Sequence, residues 1–420
     1  MRTPSIPTLA LATLMLGPVS CGARIRAAFD LAREQALADP GAAPAEWEPD
    51  ARLGISWDLV TTLAVRELTT RLEDPSAKLR IDLPLGARAV IEPDVQLRDT
   101  RVSPAKTCGA CARIASRFEG SLDWSVGALE GEVPLGFELD AVLALASHPT
   151  ASGHAVEASL RTVSVKLVDL PQVDRLRVDL DDPLVAWLQE QVEKDFPAIP
   201  IAEVGSEDLA LRAIRLGTTP DFLQIDVLTP SPVRTGLPLP AAPEADWYLA
   251  MDQQVLLGLT RKAAFEKGEL DYGLYADPMA FTLQESSFTL GLRLWRLAGA
   301  CWWRDYEVAG ELAVDDGHLR LTPSSVQQRD HSRGAALADP LAALARGAIL
   351  GAIEEALDVA RPAEVREPIG GATLVLAVEE AGGQGTALLL KGGAELREKA
   401  GQRERQEKNS RPGARSGDGR

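Results

Sequence analysis

The chain repeats itself, and this internal repeat limits the folds that are open to it. Residues separated by a constant offset of 190 match at several points, including Trp57 with Trp247 and Gly109–Ala110–Cys111 with Gly299–Ala300–Cys301. A second match, Asp182–Pro183–Leu184 with Asp339–Pro340–Leu341, has an offset of 339 − 182 = 157. The second copy is therefore shorter by 190 − 157 = 33 residues. We predict two tandem modules of one architecture, with the extra material of the first copy near residues 134–154 as an added strand pair.

The order of predicted elements is the same in both copies. Apolar residues at helical spacing predict a helix over 59–72 and its counterpart over 249–265. Alternating apolar residues predict strands next, for example around Leu290, Leu292 and Leu294. Each Asp-Pro-Leu string is typical of a helix start, which predicts second helices from residue 182 and over 340–360. Each copy closes with two strands, over 209–216 and 223–228 and then over 373–378 and 387–391.

These elements divide the chain into six segments. We predict a signal peptide over 1–20, a tether over 21–50, a first module over 51–228 and a second module over 247–391. A proline-rich linker over 229–246 joins the modules. Residues 392–420 are charged and nearly free of large apolar side chains, so we expect a disordered tail there.

The N-terminus resembles a bacterial lipoprotein signal. Met1 and Arg2 precede an apolar stretch over 9–17, too short for the about 20 residues that span a bilayer, and small residues lead to Cys21. The resemblance implies that Cys21 is acylated and becomes the first residue of the mature chain. Gly22 is similar to the sorting pattern for the outer membrane, which implies a lipid-anchored protein of the cell envelope that faces the periplasm. The alternative is an ordinary secretory signal with an incidental cysteine.

Composition excludes some partners. The formal net charge is −17, whereas nucleic-acid binding depends on a basic surface. We therefore expect no nucleic-acid partner.

The four cysteines and four histidines supply little catalytic chemistry. Cys108 and Cys111 form a CxxC string that reads as a loop entering a strand, so we expect a short-range disulfide bond rather than a redox centre. We expect Cys301 to be buried and reduced, although a bond from Cys301 to either partner stays open. A zinc site would need a second ligand pair. GxSxG, HExxH and P-loop motifs do not occur. We expect no enzymatic activity, no metal and no cofactor.

Each copy has the order helix, meandering sheet, helix and strand pair. This repeated order resembles the tubular lipid-binding (TULIP) superfamily. That superfamily includes the bactericidal/permeability-increasing (BPI) proteins and the synaptotagmin-like mitochondrial lipid-binding (SMP) modules. The resemblance covers about residues 50 to 391 and implies an α+β fold, in which a strongly curved antiparallel sheet wraps each long helix. It also implies apolar tunnels for acyl chains. The candidate wall residues lie on the predicted helices: Leu63, Val65, Leu68, Val185, Leu188, Leu256, Leu259 and Leu344.

Two functions follow as hypotheses. The first is a membrane-anchored envelope lipoprotein that binds or transfers a lipid or another amphiphile in its tubular modules. The alternative is a structural or interaction lipoprotein whose modules have solid cores and dock onto an envelope complex.

Overall fold

A computed structural model describes most of the chain outside its two ends. The described residues are 22–38, 41, 45–72, 79–82, 88–106, 108–126, 129–150, 153–169, 181–195, 199–204, 211–229, 244–270, 273–299, 301–315, 318–332, 365–369 and 372–398. Cys21, the predicted signal peptide, most of the linker, the predicted helix over 340–360 with Leu344, and residues 399–420 lie outside this set.

The fold is α+β, and every strand pairing among the described residues is antiparallel. The described helices are α1 Ala23–Leu37, α2 Trp57–Leu72, α3 Asp181–Asp195 and α4 Gln253–Lys267. The strands of the first half are β1 Ala51–Ser56, β2 Leu79–Asp82, β3 Arg88–Pro104, β4 Cys111–Val126, β5 Leu129–Pro149, β6 His154–Asp169, β7 Ile199–Val204, β8 Ala213–Thr218 and β9 Phe222–Leu228. Those of the second half are β10 Trp247–Asp252, β11 Leu274–Gln284, β12 Ser287–Arg296, β13 Trp302–Asp315, β14 His318–His331, β15 Val365–Ile369, β16 Ala372–Gln384 and β17 Ala387–Glu398.

The repeat is visible in a seven-stranded sheet with the order β15-β16-β17-β10-β1-β9-β8. In each half, the first strand (β1 or β10) pairs with the last strand (β9 or β17), and the last strand pairs with its hairpin partner. The two halves meet where β1 pairs with β10, from Ala51 opposite Met251 to Ile55 opposite Trp247. On each side of this pair, the sheet therefore continues with the last strand of that half and then with the hairpin partner of that strand.

Each half also has a sheet of its own, and the two sheets differ in size. The first module contributes six strands in the order β2 to β7, and the second contributes four in the order β11 to β14. Because Cys111 opens β4 and Cys301 directly precedes β13, β2 to β5 correspond to β11 to β14. The additional strands of the first module are then β6 and β7, which lie C-terminal to most of the region over 134–154 where we expected them.

Two predicted elements need correction. The stretch 249–265 is not a single helix, because Trp247–Asp252 forms β10 between β1 and β17 and α4 begins only at Gln253. Asp252 caps α4 by accepting a hydrogen bond from the backbone N–H of Gln254 at 2.7 Å. Trp57 opens α2 whereas Trp247 opens β10, so these matching residues occupy different elements.

Two predicted boundaries also shift. The predicted tether over 21–50 contains the 15-residue helix α1, and residues 392–398 belong to β17 rather than to the tail. The glycine-rich run over 382–386 forms the expected hairpin turn between β16 and β17, with Gly385 at φ +64°. Among the described residues, no helix combines the length and the apolar character that crossing a bilayer requires.

Two buried carboxyl groups face each other where the halves meet. Asp50 is 2% exposed and Asp252 is 1% exposed, and the backbone N–H of Asp252 donates to the carbonyl of Asp50 at 3.0 Å. Asp50 Oδ2 accepts hydrogen bonds from the Thr229 backbone N–H and hydroxyl, both at 2.9 Å. Asp252 Oδ2 is buried without a hydrogen-bond partner. Burial raises the pKa of both carboxyl groups above the ordinary 3.8, and the charge of Asp252 raises the pKa of Asp50 further.

This pair makes the stability of the fold depend on pH. A carboxyl whose pKa is raised by folding binds its proton more tightly when folded, so the free energy of unfolding falls as the pH rises through the raised value. Asp252→Asn keeps a capping oxygen and removes one of two opposed charges, whose cost is about 0.2–1 kcal/mol. We predict a melting temperature up to about 2–4 °C higher at pH 7.5 and a weaker dependence of melting on pH above 4.

The matched control is Asp226→Asn. Asp226 forms ion pairs with Arg52 and Arg215, so its replacement should lower the melting temperature. A melting curve of Asp252→Asn that follows the wild-type pH dependence would contradict our assignment of the pair.

Candidate functional site

The six-stranded sheet of the first module has one apolar face, and β4 shows it most clearly. Ala112, Ile114, Phe118 and Leu122 point to this inward face and are buried, whereas the residues between them alternate toward solvent. Arg113, for example, lies on the outer face and pairs there with Asp140 of β5. This period-two pattern is that of a strand with one face covered and one face solvated.

The inward face carries two apolar clusters, each beneath a different helix, and Leu97 of β3 packs against both. The first lies under α2 and contains Trp57, Val102, Ala112, Ile114, Leu143, Ala158 and Leu223. The second lies under α3 and contains Phe118, Leu122, Leu135, Phe137, Leu139, Val165, Leu184 and Leu188. In this second cluster the rings of Phe118 and Phe137 stack with centroids 4.6 Å apart.

A belt of short side chains lies between the two clusters. It consists of Thr100 on β3, Ser116 on β4 and Ala141 on β5, all buried and none of them part of either cluster. Thr100 and Ser116 stand opposite each other across the strand pair, and their hydroxyl oxygens are 3.0 Å apart in a hydrogen bond. On β5, Leu139 of the second cluster stands opposite Ser116, and Ala141 stands opposite Ile114. The belt therefore interrupts the apolar face mainly at β3 and β4.

Helix α2 is fixed at its N-terminal end and packs incompletely beyond it. Trp57 Nε1 donates to the carbonyl of Thr219 at 2.9 Å, and the hydroxyl of Thr61 accepts from the backbone N–H of Val102 at 3.0 Å. Trp57 and Leu59 are buried, but the next apolar residues are only half-buried: Val60, Leu63, Ala64 and Val65. Among the described residues, these four apolar residues of α2 are therefore only partly covered.

The second module differs, because one continuous core fills it. Eighteen buried residues from the four-stranded sheet, α4 and the seven-stranded sheet form a single cluster. In α4, Val255, Leu256, Ala264 and Phe265 are 7% exposed or less. More apolar residues of α4 than of the described part of α2 are buried, although Leu257 and Leu259 of α4 are half-buried.

The predicted wall residues lie in different packing environments. Leu63 and Val65 lie half-buried on α2, and Val185 and Leu188 of α3 pack in the second cluster. Leu256 lies in the continuous core of the second module, and Leu259 is half-buried. The side chains of Leu68 and Leu344 lie outside the described set. We did not predict the belt or the stacked rings of Phe118 and Phe137 from the sequence. The alternation of apolar and polar residues over 112–122 does indicate most of the inward face of β4.

Cys108 and Cys111 form a disulfide bond with their Cα atoms 5.4 Å apart, at the start of β4. The expectation of a reduced thiol at Cys301 is wrong, because Cys301 is also disulfide-bonded. In the described part of the chain, no group of three or more His, Cys, Asp and Glu side chains is placed to hold a metal ion.

Comparison with known proteins gives only distant structural likenesses. No protein-family model and no curated protein sequence matches the chain. A lipopolysaccharide-binding protein of known crystal structure is 13% identical with a TM-score of 0.44, over 83% of this chain and 99% of that chain. P47 of Clostridium botulinum E1 is 9% identical with a TM-score of 0.35, again over 83% and 99%.

The difference in packing between α2 and α4 predicts different responses to the same substitution. Leu256→Trp adds bulk to a filled core and should lower the free energy of unfolding by about 1–3 kcal/mol. Leu63→Trp adds the same bulk on a half-buried surface, so we expect less than about 0.5 kcal/mol. Denaturant unfolding of both variants measures the difference. Equal losses would show that α2 is as closely packed as α4.

Proposed function

We propose that the first module binds the hydrocarbon part of a lipid or another amphiphile on its inward face, between α2 and α3. The observation that carries this proposal is the interrupted core of the first module. Two apolar clusters flank a belt of short side chains, and the nearby apolar residues of α2 stay half-buried.

An acyl chain suits this surface for simple energetic reasons. Each CH₂ group that leaves water for an apolar environment stabilises the complex by about 0.8 kcal/mol. A ligand along the belt would also cover the half-buried faces of Val60 and Ala64, which pack against the first cluster, and this adds apolar area removed from water. The Thr100 and Ser116 hydroxyls already satisfy each other, so the belt accepts hydrocarbon without leaving a buried polar group unpaired.

The second module supports the alternative function more than the first does. In α4 four apolar residues are buried, whereas in the described part of α2 two are buried, and this difference favours a structural or interaction role for the second half. Leu257, Leu259 and Ala263 of α4 are half-buried. We therefore propose one ligand site per chain, in the first module, rather than a tunnel in each module. In the proposed role the protein binds or transfers the ligand and has no enzymatic activity.

We also propose that an acyl group on Cys21 holds the chain on a membrane of the cell envelope, the outer membrane in a periplasm-facing orientation. The support is the sequence pattern of residues 1–21. Acylation of Cys21 and a disulfide bond between Cys21 and Cys301 exclude each other, because both use the sulfur of Cys21, so the proposed anchor competes with the disulfide bond of Cys301. Two acyl groups bind a protein to a bilayer much more firmly than one. The lipoprotein pattern implies several acyl groups on the one cysteine.

Native mass spectrometry tests the ligand site. The purified chain, mixed with vesicles of phosphatidylethanolamine and phosphatidylglycerol, should retain one lipid per chain. We expect Ala64→Trp to reduce the lipid-bound fraction at least about tenfold, since Ala64 lies on the side of α2 that packs against the first cluster and tenfold corresponds to only 1.4 kcal/mol. Val168→Trp is the control, because Val168 is 39% exposed on β6. Lipid-free wild-type protein, or equal lipid retention by all three proteins, would refute the site.

The anchor is tested by Cys21→Ser and by mass spectrometry of the N-terminal peptide. We expect the wild-type peptide to begin at Cys21 with acyl groups attached, and the protein to sediment with membranes. Cys21→Ser should move most of the protein to the soluble fraction or leave its signal peptide uncleaved. A wild-type Cys21 without acyl groups, whether as a thiol or in a disulfide bond, would overturn the assignment.

A further inference from the structure

Helix α1 contacts the rest of the protein through one apolar stripe. Ile25, Phe29, Ala32 and Ala36 recur at intervals of three or four residues and therefore lie on one side of the helix. Phe29 is 4% exposed, and Ala32 is 9% exposed. The other sides carry exposed charges of both signs: Arg24, Arg26, Asp30, Arg33 and Glu34.

The stripe packs on the outer surface of the second module. The Phe29 ring lies 5.8 Å from the ring of Phe265 on α4, 4.9 Å from Tyr275 on β11 and 5.9 Å from Trp295 on β12, measured between centroids. Leu292 and Leu294 face the core of this module, so Trp295 points to the opposite side of β12. Trp295 is nevertheless only 1% exposed, because α1 covers it. We call Phe265, Tyr275 and Trp295 the aromatic seat.

The loop between β12 and β13 brings Cys301 close to this seat. Leu297 of the loop packs against the cluster that contains Phe29 and Trp295, and so does Ile25 from the first turn of α1. Cys301 is 8% exposed, and its Sγ lies 3.3 Å from the carbonyl oxygen of Leu297. Ile25 follows Cys21 by only four residues. The first turn of α1 therefore lies beside the loop that holds Cys301.

The cysteine count leaves one partner for Cys301 within the chain. Cys108 and Cys111 are bonded to each other, and Cys301 is disulfide-bonded as well. The sequence contains four cysteines, so the remaining sulfur is that of Cys21. This count and the packing of α1 beside the Cys301 loop lead independently to the same pair.

We propose that a disulfide bond between Cys21 and Cys301 clasps α1 to the second module in every chain whose Cys21 is not acylated. To form the bond, the two thiols together give up two protons and two electrons. A disulfide-bearing oxidant takes these up by thiol–disulfide exchange and becomes a dithiol. With the bond, α1 cannot leave the aromatic seat. After reduction the apolar stripe alone holds the helix, so exposure of Trp295 depends on the redox state.

The clasp closes a strap that reaches both halves of the protein. Beyond α1, the carbonyl of Gly41 accepts a hydrogen bond from Arg212 Nε at 2.9 Å. The guanidinium carbon of Arg215 lies 4.9 Å from the centroid of the Trp47 ring. Arg215 belongs to β8, which pairs with the last strand of the first half, and Arg212 directly precedes β8. A bond that fixes α1 on the second module therefore closes a segment that also contacts the first half.

Peptide mapping without reduction tests the bond. The chain is secreted with an ordinary signal peptide in place of residues 1–20, which removes the route to acylation, and free thiols are alkylated before digestion with trypsin. We expect the peptide that ends at Arg24 to be linked to Leu297–Arg304, and Thr107–Arg113 to carry its own internal bond. Alkylated Cys21 and Cys301, or any other partner of Cys301, would overturn the pair.

Hydrogen exchange of α1 tests the clasp in the same protein. With the bond, we expect the backbone amides of α1 to exchange at least about 100-fold more slowly than in an unstructured peptide. Cys301→Ser, with its Cys21 thiol alkylated, should exchange at least about tenfold faster than the bonded protein, and Cys21→Ser should give the same acceleration.

The matched control removes the other disulfide bond. Cys108→Ser combined with Cys111→Ser should leave the exchange of α1 unchanged, because that bond lies in the first module. Equal exchange of α1 in the bonded protein, Cys301→Ser and Cys21→Ser would overturn the clasp, as would the same acceleration in the control.

Discussion

The antiparallel pairing of β1 with β10 is the interaction on which the rest of the structure depends. It joins the two copies into one seven-stranded sheet and sets both first strands side by side. Helices α2 and α4 each begin directly after these strands, so the pair also sets where both helices start. The facing carboxyl groups of Asp50 and Asp252 lie at one end of this pair. Two opposed buried acids at such a position cost stability, and the fold tolerates that cost where its two halves join.

From this common origin the two modules diverge through the size of their sheets. The second module has four strands, and α4 together with the seven-stranded sheet covers their apolar face in one continuous core. The first module has six strands, so its apolar face is wider than α2 alone can cover. Helix α3 covers a second area, and the belt of Thr100, Ser116 and Ala141 lies between the two covered areas. Among the described residues, the sheet of the first module thus has two more strands and one more covering helix than that of the second, and its apolar residues form two clusters instead of one.

Much of this fold could be predicted from the sequence because it depends on local periodicity. The alternation of Leu290, Leu292 and Leu294 and the helical spacing after Leu59 identify a strand and a helix correctly. The constant offset at Cys111 and Cys301 identifies equivalent strands, but the match of Trp57 with Trp247 does not join equivalent elements. Two residues that match at a constant offset can still lie in different elements when an element boundary shifts by a few residues. The apolar residues of β10 also fit a helical spacing, so this strand could not be separated from α4 by periodicity.

The candidate site and the docked helix were harder to predict because both depend on contacts distant in the chain. Nothing local distinguishes the half-buried Leu63 from the buried Leu256; their difference comes from the distant residues that pack against each helix. Phe29 is one aromatic residue in a polar stretch, and its burial depends on Phe265 and Trp295, more than 200 residues away. Trp295 is an aromatic residue on the polar side of a predicted strand. Such a position indicates that another part of the protein covers the side chain.

Photo-crosslinking with a fatty acid that carries a diazirine near its methyl end tests the central claim most directly. After irradiation and digestion, we predict adducts on the inward face of the first module, in peptides that contain Ser116 of β4 or Leu63 of α2. Unlabelled fatty acid should compete with these adducts. Adducts confined to the second module, or adducts spread over exposed surfaces without competition, would contradict a ligand site between α2 and α3.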